Sequence, residues 1–312
     1  MTKEWFEDTN FRQDSKNLIE ICNGIIDDFL GQSLRLTLRQ LYYQCVVRNL
    51  FPNSERSYKN LGNLVSNGRL AGIIDWEAIE DRVRQPRKPQ EFKNLAELVD
   101  VALRAYRLPR WKGQSKYVEL WVEKDALAGV LMPMAREFHV TLMVNRGYSS
   151  QSAMYDASKR FLLHTNLPPN CQSLATVEGI EKGVYREAIL FYLGDLDPSG
   201  EDMVRDIHAR LQMFGIQVEI RKLALTMEQV KKYKPPPNPA KQTDPRASGF
   251  IEKFGSSSWE VDALPPDVLQ KIIRDAFKEV VDQELMDAVI AKETKDKNLL
   301  RKALKEKGVK FE

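Results

Sequence analysis

Cysteine and histidine are both scarce, three of each in 312 residues. Cys22, Cys45 and Cys171 share no CxxC spacing, and their odd number argues against a disulfide framework, so they read as reduced thiols. His139, His164 and His208 do not cluster with them, which removes the usual zinc ligand patterns. An excess of one charge is also missing: 47 basic against 44 acidic residues leave a net charge of +3. Composition therefore does not argue for a nucleic-acid partner, and any such case rests on where the basic residues lie. No apolar run approaches the roughly 20 residues that span a bilayer. The opening MTKEWFED lacks a basic segment followed by an apolar one, so no secretory leader is expected. There is no GxxxxGK loop to cradle a nucleotide phosphate, and no internal repeat. What is present, 43% hydrophobic and 29% charged residues, describes a globular chain long enough for two domains with separate cores.

The first part reads as helical. NLIEICNGIIDDFL repeats apolar residues at three and four and should stop at Gly31. TLRQLYYQCVVRNL follows with Thr37 as N-cap, then a turn at FPNSER, a third helix over YKNLGNLVSNGRLAG and a short extended piece, IIDW. RQPRKPQEF, with two prolines and three basic residues, reads as a surface linker. From Lys116 the period changes. YVELWV, VTLMV, EAILFYL and QVEIRKLAL read as strands separated by helices, which predicts an α/β fold with a mainly parallel sheet. KPPPNPAKQTDPRASGF is expected to be a long irregular loop, and the remainder to be helical, with Leu264, Leu269, Ile272, Ile273 and Phe277 facing a core. The basic stretch from Lys292 to Lys310 is read as a solvated helix.

Two motifs carry chemistry. FYLGDLDPSGEDM ends a strand with Asp195 and Asp197 two apart, which in extended chain aims both carboxylates to one side. VEKDA ends another strand at Glu123. Ligands of parallel sheets bind at the carboxyl ends of the strands, where all three acids fall. Taken singly, each acid also has an ordinary reading: Glu123 as a partner for Lys124, the aspartates as turn residues. Taken together, three hard oxygen donors suit Mg²⁺.

VEKDA (Val122 to Ala126), RGYSSQS (Arg146 to Ser152) and GDLDPSG (Gly194 to Gly200) together resemble the Toprim domain. More narrowly, they resemble the A subunit of topoisomerase VI and the related meiotic double-strand-break protein, in a compact form similar to stand-alone "mini-A" relatives. The resemblance runs from about Leu34 to Phe277 and implies that Glu123, Asp195 and Asp197 bind Mg²⁺. It also implies an N-terminal winged-helix domain, residues 1–110, ahead of a Rossmann-like Toprim domain with a helical C-terminus, residues 111–312. That family carries a nucleophilic tyrosine in an R-x-x-Y-Y motif, matched here by RQLYY, which implies Tyr43 as nucleophile, Tyr42 as the fallback and Arg39 as its phosphate partner. Arg39 and Tyr43 lie four apart and so share a helix face. A phenol with a pKa of about 10 needs a nearby cation or base to attack phosphorus. The bland alternative is that the two tyrosines simply pack.

Arg35, Arg48, Arg56, Lys59 and Arg69 surround that motif and are candidate contacts to the phosphates of double-stranded DNA. The resemblance further implies a homodimer in which one subunit's tyrosine works with the other's metal, an ATPase B-type subunit in trans, and a cytoplasmic, nucleoid-associated location. The implied activity is a double-strand break with a 5′ phosphotyrosyl link. Its rivals are a hydrolytic Toprim nuclease using the same metal, a DNA-binding scaffold and an RNA-processing enzyme. WEVDALPPD has no counterpart in the resemblance; its Glu260 and Asp262 are read as extra metal or structural acids.

Overall fold

The computed structural model describes residues 3–32, 34–79, 89–165, 186–239 and 244–307. The N-terminal segment forms α1 (Gln13–Gly31), α2 (Leu38–Val47) and α3 (Glu55–Leu70). Thr37 caps α2 as expected: it accepts the Gln40 N–H while the Gln40 side chain accepts the Thr37 N–H. A cap of this kind contributes about 1 kcal/mol. The three helices close over Ile26, Leu36, Leu41, Leu61 and Ile74, all at most 2% exposed. IIDW differs from its extended reading. It forms bends, with Ile74 buried, and among the described residues this region holds isolated bridges (Trp5 with Ala71, Leu36 with Ile79) and no sheet. Most of the RQPRKPQEF linker lies outside the described residues, as does Cys171. Helix α4 (Leu95–Ala105), capped by Asn94, was not anticipated from the sequence.

The α/β reading holds. Strands β1 (Lys116–Val122), β2 (Thr141–Val144), β3 (Glu187–Leu193) and β4 (Val218–Ala224) form one sheet in the order β2-β1-β3-β4, all parallel. Helices α5 (Ala128–Phe138), α6 (Gln151–His164) and α7 (Pro198–Met213) connect or follow the strands. Side-chain alternation assigns the two faces. Val118, Leu120 and Val122 pack with α5 and a C-terminal helix, while Tyr117 and Trp121 pack with α6 and α7. Covered on both faces, β1 and β3 read as nearly continuous apolar runs.

After β4 come α8 (Met227–Tyr233), a two-residue ribbon of β5 (Asn238–Pro239) with β6 (Ser257–Ser258), and α9 (Ala247–Phe254). The proline-rich stretch is thus less irregular than expected, since β5 and the first turn of α9 fall within it. Helices α10 (Pro266–Val280) and α11 (Gln283–Glu306) complete the chain. Leu264, Leu269, Ile273 and Phe277 are buried and Ile272 packs beside them, as their spacing suggested. Among the described residues no helix is long and apolar enough to cross a membrane.

One feature of topology positions the site. The chain leaves β1 for β2 on one side and later returns to β3 on the other, so the sheet reverses direction between β1 and β3. The crevice outside the carboxyl ends of those two strands is where open α/β sheets place their ligands.

Candidate active site

Glu123 stands at the end of β1 and Gly194–Asp195 at the end of β3. The Glu123 N–H donates to the Leu193 carbonyl at 2.9 Å, holding the two ends together. Glu123 Oε2 in turn accepts the Asp195 N–H at 3.0 Å. Gly194 makes this approach possible, because a Cβ there would lie 2.6 Å from the Tyr192 ring and 3.0 Å from Glu123 Oε2. Burial foremost, and then the Asp197 charge, push the half-buried Glu123 carboxyl above its ordinary value, against the pull of the Asp195 N–H and Lys124.

The two aspartates of GDLDPSG have separate surroundings. Asp195 is 7% exposed. Its Oδ1 accepts the Val261 N–H at 2.8 Å and its Oδ2 lies 3.0 Å from Lys124 Nζ. Burial pushes it up to about 7, Lys124 working in the opposite direction and Glu123 and Asp262 adding to the rise. Asp197 caps α7, accepting from the Gly200 N–H at 2.6 Å and from the Ser199 hydroxyl at 2.9 Å. Pro198 opens that helix, where its missing N–H costs nothing. Gly200 cannot carry a side chain, since a Cβ would meet the Asp195 carbonyl oxygen at 2.3 Å. The turn reading holds for Asp197, which caps α7, while Asp195 faces inward and the two carboxylates do not share one side.

The sequence reading of Glu123 as partner for Lys124 does not describe this arrangement. The Lys124 ammonium instead sits 2.8 Å from Glu260 Oε2, 2.8 Å from Asp262 Oδ1 and 3.0 Å from Asp195 Oδ2. A pair of antiparallel hydrogen bonds between Leu196 and Trp259 lays WEVDA along the loop after β3 and so delivers these acids. The Lys124 side chain is 17% exposed, and burial alone would depress its pKa, yet the three carboxylates hold it above its ordinary value. Lys222 buttresses the same loop from β4, donating to the Asp195 carbonyl at 2.7 Å and to Glu201 at 2.6 Å.

Helix α2 reaches this cluster from the other part of the chain. Arg39 pairs with Glu260 and stands with Nε 3.2 Å from Asp262 Oδ2. The latter is an ion-pair distance without hydrogen-bond alignment, so this buried oxygen has no hydrogen-bond donor. The Arg39 guanidinium is 5.9 Å from the Tyr43 ring centroid, and the Tyr43 phenol faces the charges of Asp262 and Glu260. Burial, with Tyr43 3% exposed, and then Asp262 and Glu260 hold that phenol well above its ordinary value, Arg39 opposing them. Glu260 is lowered to about 2: burial works to raise it, and Lys124, Tyr43 and Arg39 together outweigh that effect. Ala263 joins the N-terminal apolar cluster beside this polar contact. Tyr42 faces elsewhere. Its hydroxyl donates to Asn53 at 2.8 Å and accepts the Ser54 N–H at 2.7 Å, and its ring packs on Phe51 and Tyr58.

The structure thus brings Tyr43, Arg39, Glu123, Asp195 and Asp197 to one end of the sheet within a single chain. The expected DNA contacts are not part of that cluster. Arg35 pairs with Glu77 at 3.5 Å, Lys59 with Glu55 at 2.8 Å, and Arg48 donates back to Gln44. Arg56 is exposed. Arg69 turns inward, donating to the carbonyls of Trp76 and Ile79, with its guanidinium over the Trp76 ring. Sequence reasoning missed Lys222 and gave Lys124 only Glu123 as a partner; Glu260 and Asp262, read as extra metal or structural acids, pair here with Lys124 and Arg39. The adjacency of Lys124 to Glu123, and the two-residue spacing of Glu260 and Asp262, were the available signals.

Among the described residues no three His, Cys, Asp or Glu side chains converge as ready-made metal ligands. The Lys124 ammonium stands where three of the carboxylates meet. Glu123 Oε1 and Asp197 Oδ2 are left without a hydrogen-bond donor among the described residues. Two carboxylates of this kind fit Mg²⁺, which keeps several waters and completes its shell with substrate phosphate. No protein-family model, no curated protein and no solved structure matches this chain.

Proposed function

We propose that this chain cleaves double-stranded DNA by Mg²⁺-dependent transesterification, in the manner of a topoisomerase VI A subunit, with a winged-helix unit carrying Tyr43 and a Toprim unit carrying the acids. The observation that supports the reading is the contact of α2 with the strand ends: Arg39 meets Glu260 and Asp262, which share Lys124 with Asp195. A tyrosine that merely packs has no need of three charged neighbours, Arg39, Glu260 and Asp262.

In this reading Glu123 and Asp197 hold the ion, with Asp195 kept in place by Lys124 and the Val261 N–H. The bound ion supplies charge stabilisation to the phosphoryl oxygens. Arg39, released from its carboxylates by an incoming phosphate, offers a planar fork suited to two phosphate oxygens. The Tyr43 oxygen forms a bond to phosphorus as the bond from phosphorus to the 3′ oxygen breaks. The phenolic proton leaves by way of Glu260 to solvent, and the departing 3′ oxygen takes up a proton and leaves as the 3′ hydroxyl. The tyrosine remains on the 5′ phosphate. Two chains acting on opposite strands as a homodimer make a double-strand break, and an ATPase subunit in trans would be needed for strand passage.

Tyr43 and its acids lie in one chain, so the proposed dimer need not share its sites between subunits. A second reading has its own support. Because Tyr43 is 3% exposed and its phenol is held well above the ordinary value, water could serve as nucleophile at the same acids. Incubation with supercoiled plasmid and Mg²⁺, stopped with detergent and resolved with and without protease, separates the two. Protein-linked 5′ ends that disappear in Tyr43→Phe are expected. Free ends that persist in Tyr43→Phe and vanish in Asp195→Ala would replace transesterification with hydrolysis.

A further inference from the structure

The opposite end of the sheet holds a cavity of ≈ 720 Å³, lined by the starts of β1 and β2, the end of α6, Arg186 ahead of β3, and α11. β1 is seven residues long, so at about 3.3 Å per residue the cavity lies roughly 20 Å from the acids. It is distinct from the site described above.

Its walls are unusually basic. Arg107, Arg110, Lys112, Arg186 and Lys292 all line it. The carboxylate that pairs with them is Glu293, which lies 3.4 Å from Arg107 and from Arg110 and is shared with Lys297 at 2.7 Å. Arg186 is 9% exposed and has neither a hydrogen bond nor an ion pair among the described residues; its Nε is fully buried without a partner. Arg110 Nε is in the same state. A buried guanidinium that lines the cavity without a carboxylate of its own among the described residues gains a counter-charge when an anion binds there. His139 and His164 line the cavity too, and both are held below their ordinary value. Burial is the first cause, and Arg110 and Arg107 for His139, and Arg186 for His164, add to it.

The remaining wall is flat and apolar. The His164 ring is stacked on Tyr117, with centroids 4.4 Å apart and planes at 17°, and Trp111, Val140 and Val289 complete the lining. A cavity of this volume falls within the roughly 300–1,000 Å³ of small-molecule sites. Its ligand needs a planar apolar part and a strongly anionic part.

We propose that this cavity binds a nucleoside phosphate, either free or as the phosphorylated end of a nucleic-acid strand. The phosphate meets Arg186 and Arg110, and the base lies along the Tyr117–His164 and Trp111 wall. Calorimetric titration of the full chain in Mg²⁺-free buffer would use AMP, ATP and a 5′-phosphorylated oligonucleotide, with adenosine and inorganic phosphate as controls. Saturable binding of one equivalent per chain is expected. Arg186→Gln should weaken it about tenfold, the scale of one charge-assisted hydrogen bond. Val289→Trp, which fills the cavity without removing a charge, should abolish it, and it keeps the test decisive if Arg186→Gln does not fold. Nucleotides binding more tightly than the oligonucleotide identify a free ligand; the reverse identifies a strand end. Absence of saturable binding by all three phosphorylated probes, or full binding retained in either folded variant, overturns the proposal.

Discussion

Two buried carboxylate clusters share β1, and they differ in completeness. Glu119, in the middle of the strand, is 0% exposed yet fully provided for. Arg160 donates to both of its oxygens at 2.9 and 3.0 Å, the Tyr117 hydroxyl donates at 2.8 Å and the Trp121 indole at 2.7 Å. At the end of the strand, Asp195, Glu260 and Asp262 share Lys124 and Arg39 unequally beside Glu123, and Asp262 keeps an oxygen without a hydrogen-bond donor. The inner cluster resembles a structural staple, in which every lone pair is used. The outer one is crowded with like charge and only partly neutralised, the condition in which a cation finds something to bind. Burial alone does not separate the two; satisfaction does.

That contrast predicts an ordered set of effects. Arg160→Leu leaves Glu119 charged and buried without its main partner, so urea unfolding should register a loss of about 3–5 kcal/mol. A loss under 1 kcal/mol would remove the staple from the comparison.

Next is the pH dependence of Asp195. Its folded value of about 7 lies above the ordinary 3.8, so the folded chain binds more protons than the unfolded chain between those values. Stability should therefore fall as pH rises from about 4 to 7, by up to about 4 kcal/mol. Asp195→Asn should flatten that slope; an unchanged slope would mean that Asp195 is not the group responsible. Glu260 acts with the opposite sign: lowered to about 2, it contributes stability above its ordinary 4.5 that is lost as pH falls through 2.

A smaller loss is expected from Gly200→Ala, whose added Cβ would lie 2.3 Å from the Asp195 carbonyl oxygen. Displacing that turn should cost about 1–3 kcal/mol by thermal unfolding and lower cleavage by moving Asp195 and Asp197 together. Wild-type cleavage in this variant would show that the turn tolerates displacement. Smallest in stability is Tyr43→Phe, expected to change unfolding by about 1 kcal/mol or less. Its readout is chemical: the protein-linked 5′ end should vanish while the fold is unaltered.

Much of this was legible in the sequence where the cause is local. Short, nearly continuous apolar runs alternating with helical ones determined the parallel α/β sheet, because crossover helices on both faces leave few other ways to bury such strands. Thr37 three residues before Gln40 determined the start of α2, and Asp197–Pro198 the start of α7, because capping depends on groups within one turn. The acids at the ends of β1 and β3 were legible for the same reason. Helix α4 and the bends at IIDW were not, since weak local preference yields there to packing.

Only the tertiary structure decided what each acid touches. Glu260 lies 221 residues from Arg39 and 136 from Lys124, separations at which no periodicity carries information. The Leu196–Trp259 bridge places WEVDA beside the acidic turn, and α2 then meets it through Arg39 and Tyr43. In the folded chain Lys124 serves Asp195, Glu260 and Asp262, although Glu123 is its neighbour in sequence. Residue types and local spacing determine which groups can hold charge. Which charges meet is decided by the packing of distant segments, because an ion pair in a buried site depends on three-dimensional separation and on water being excluded.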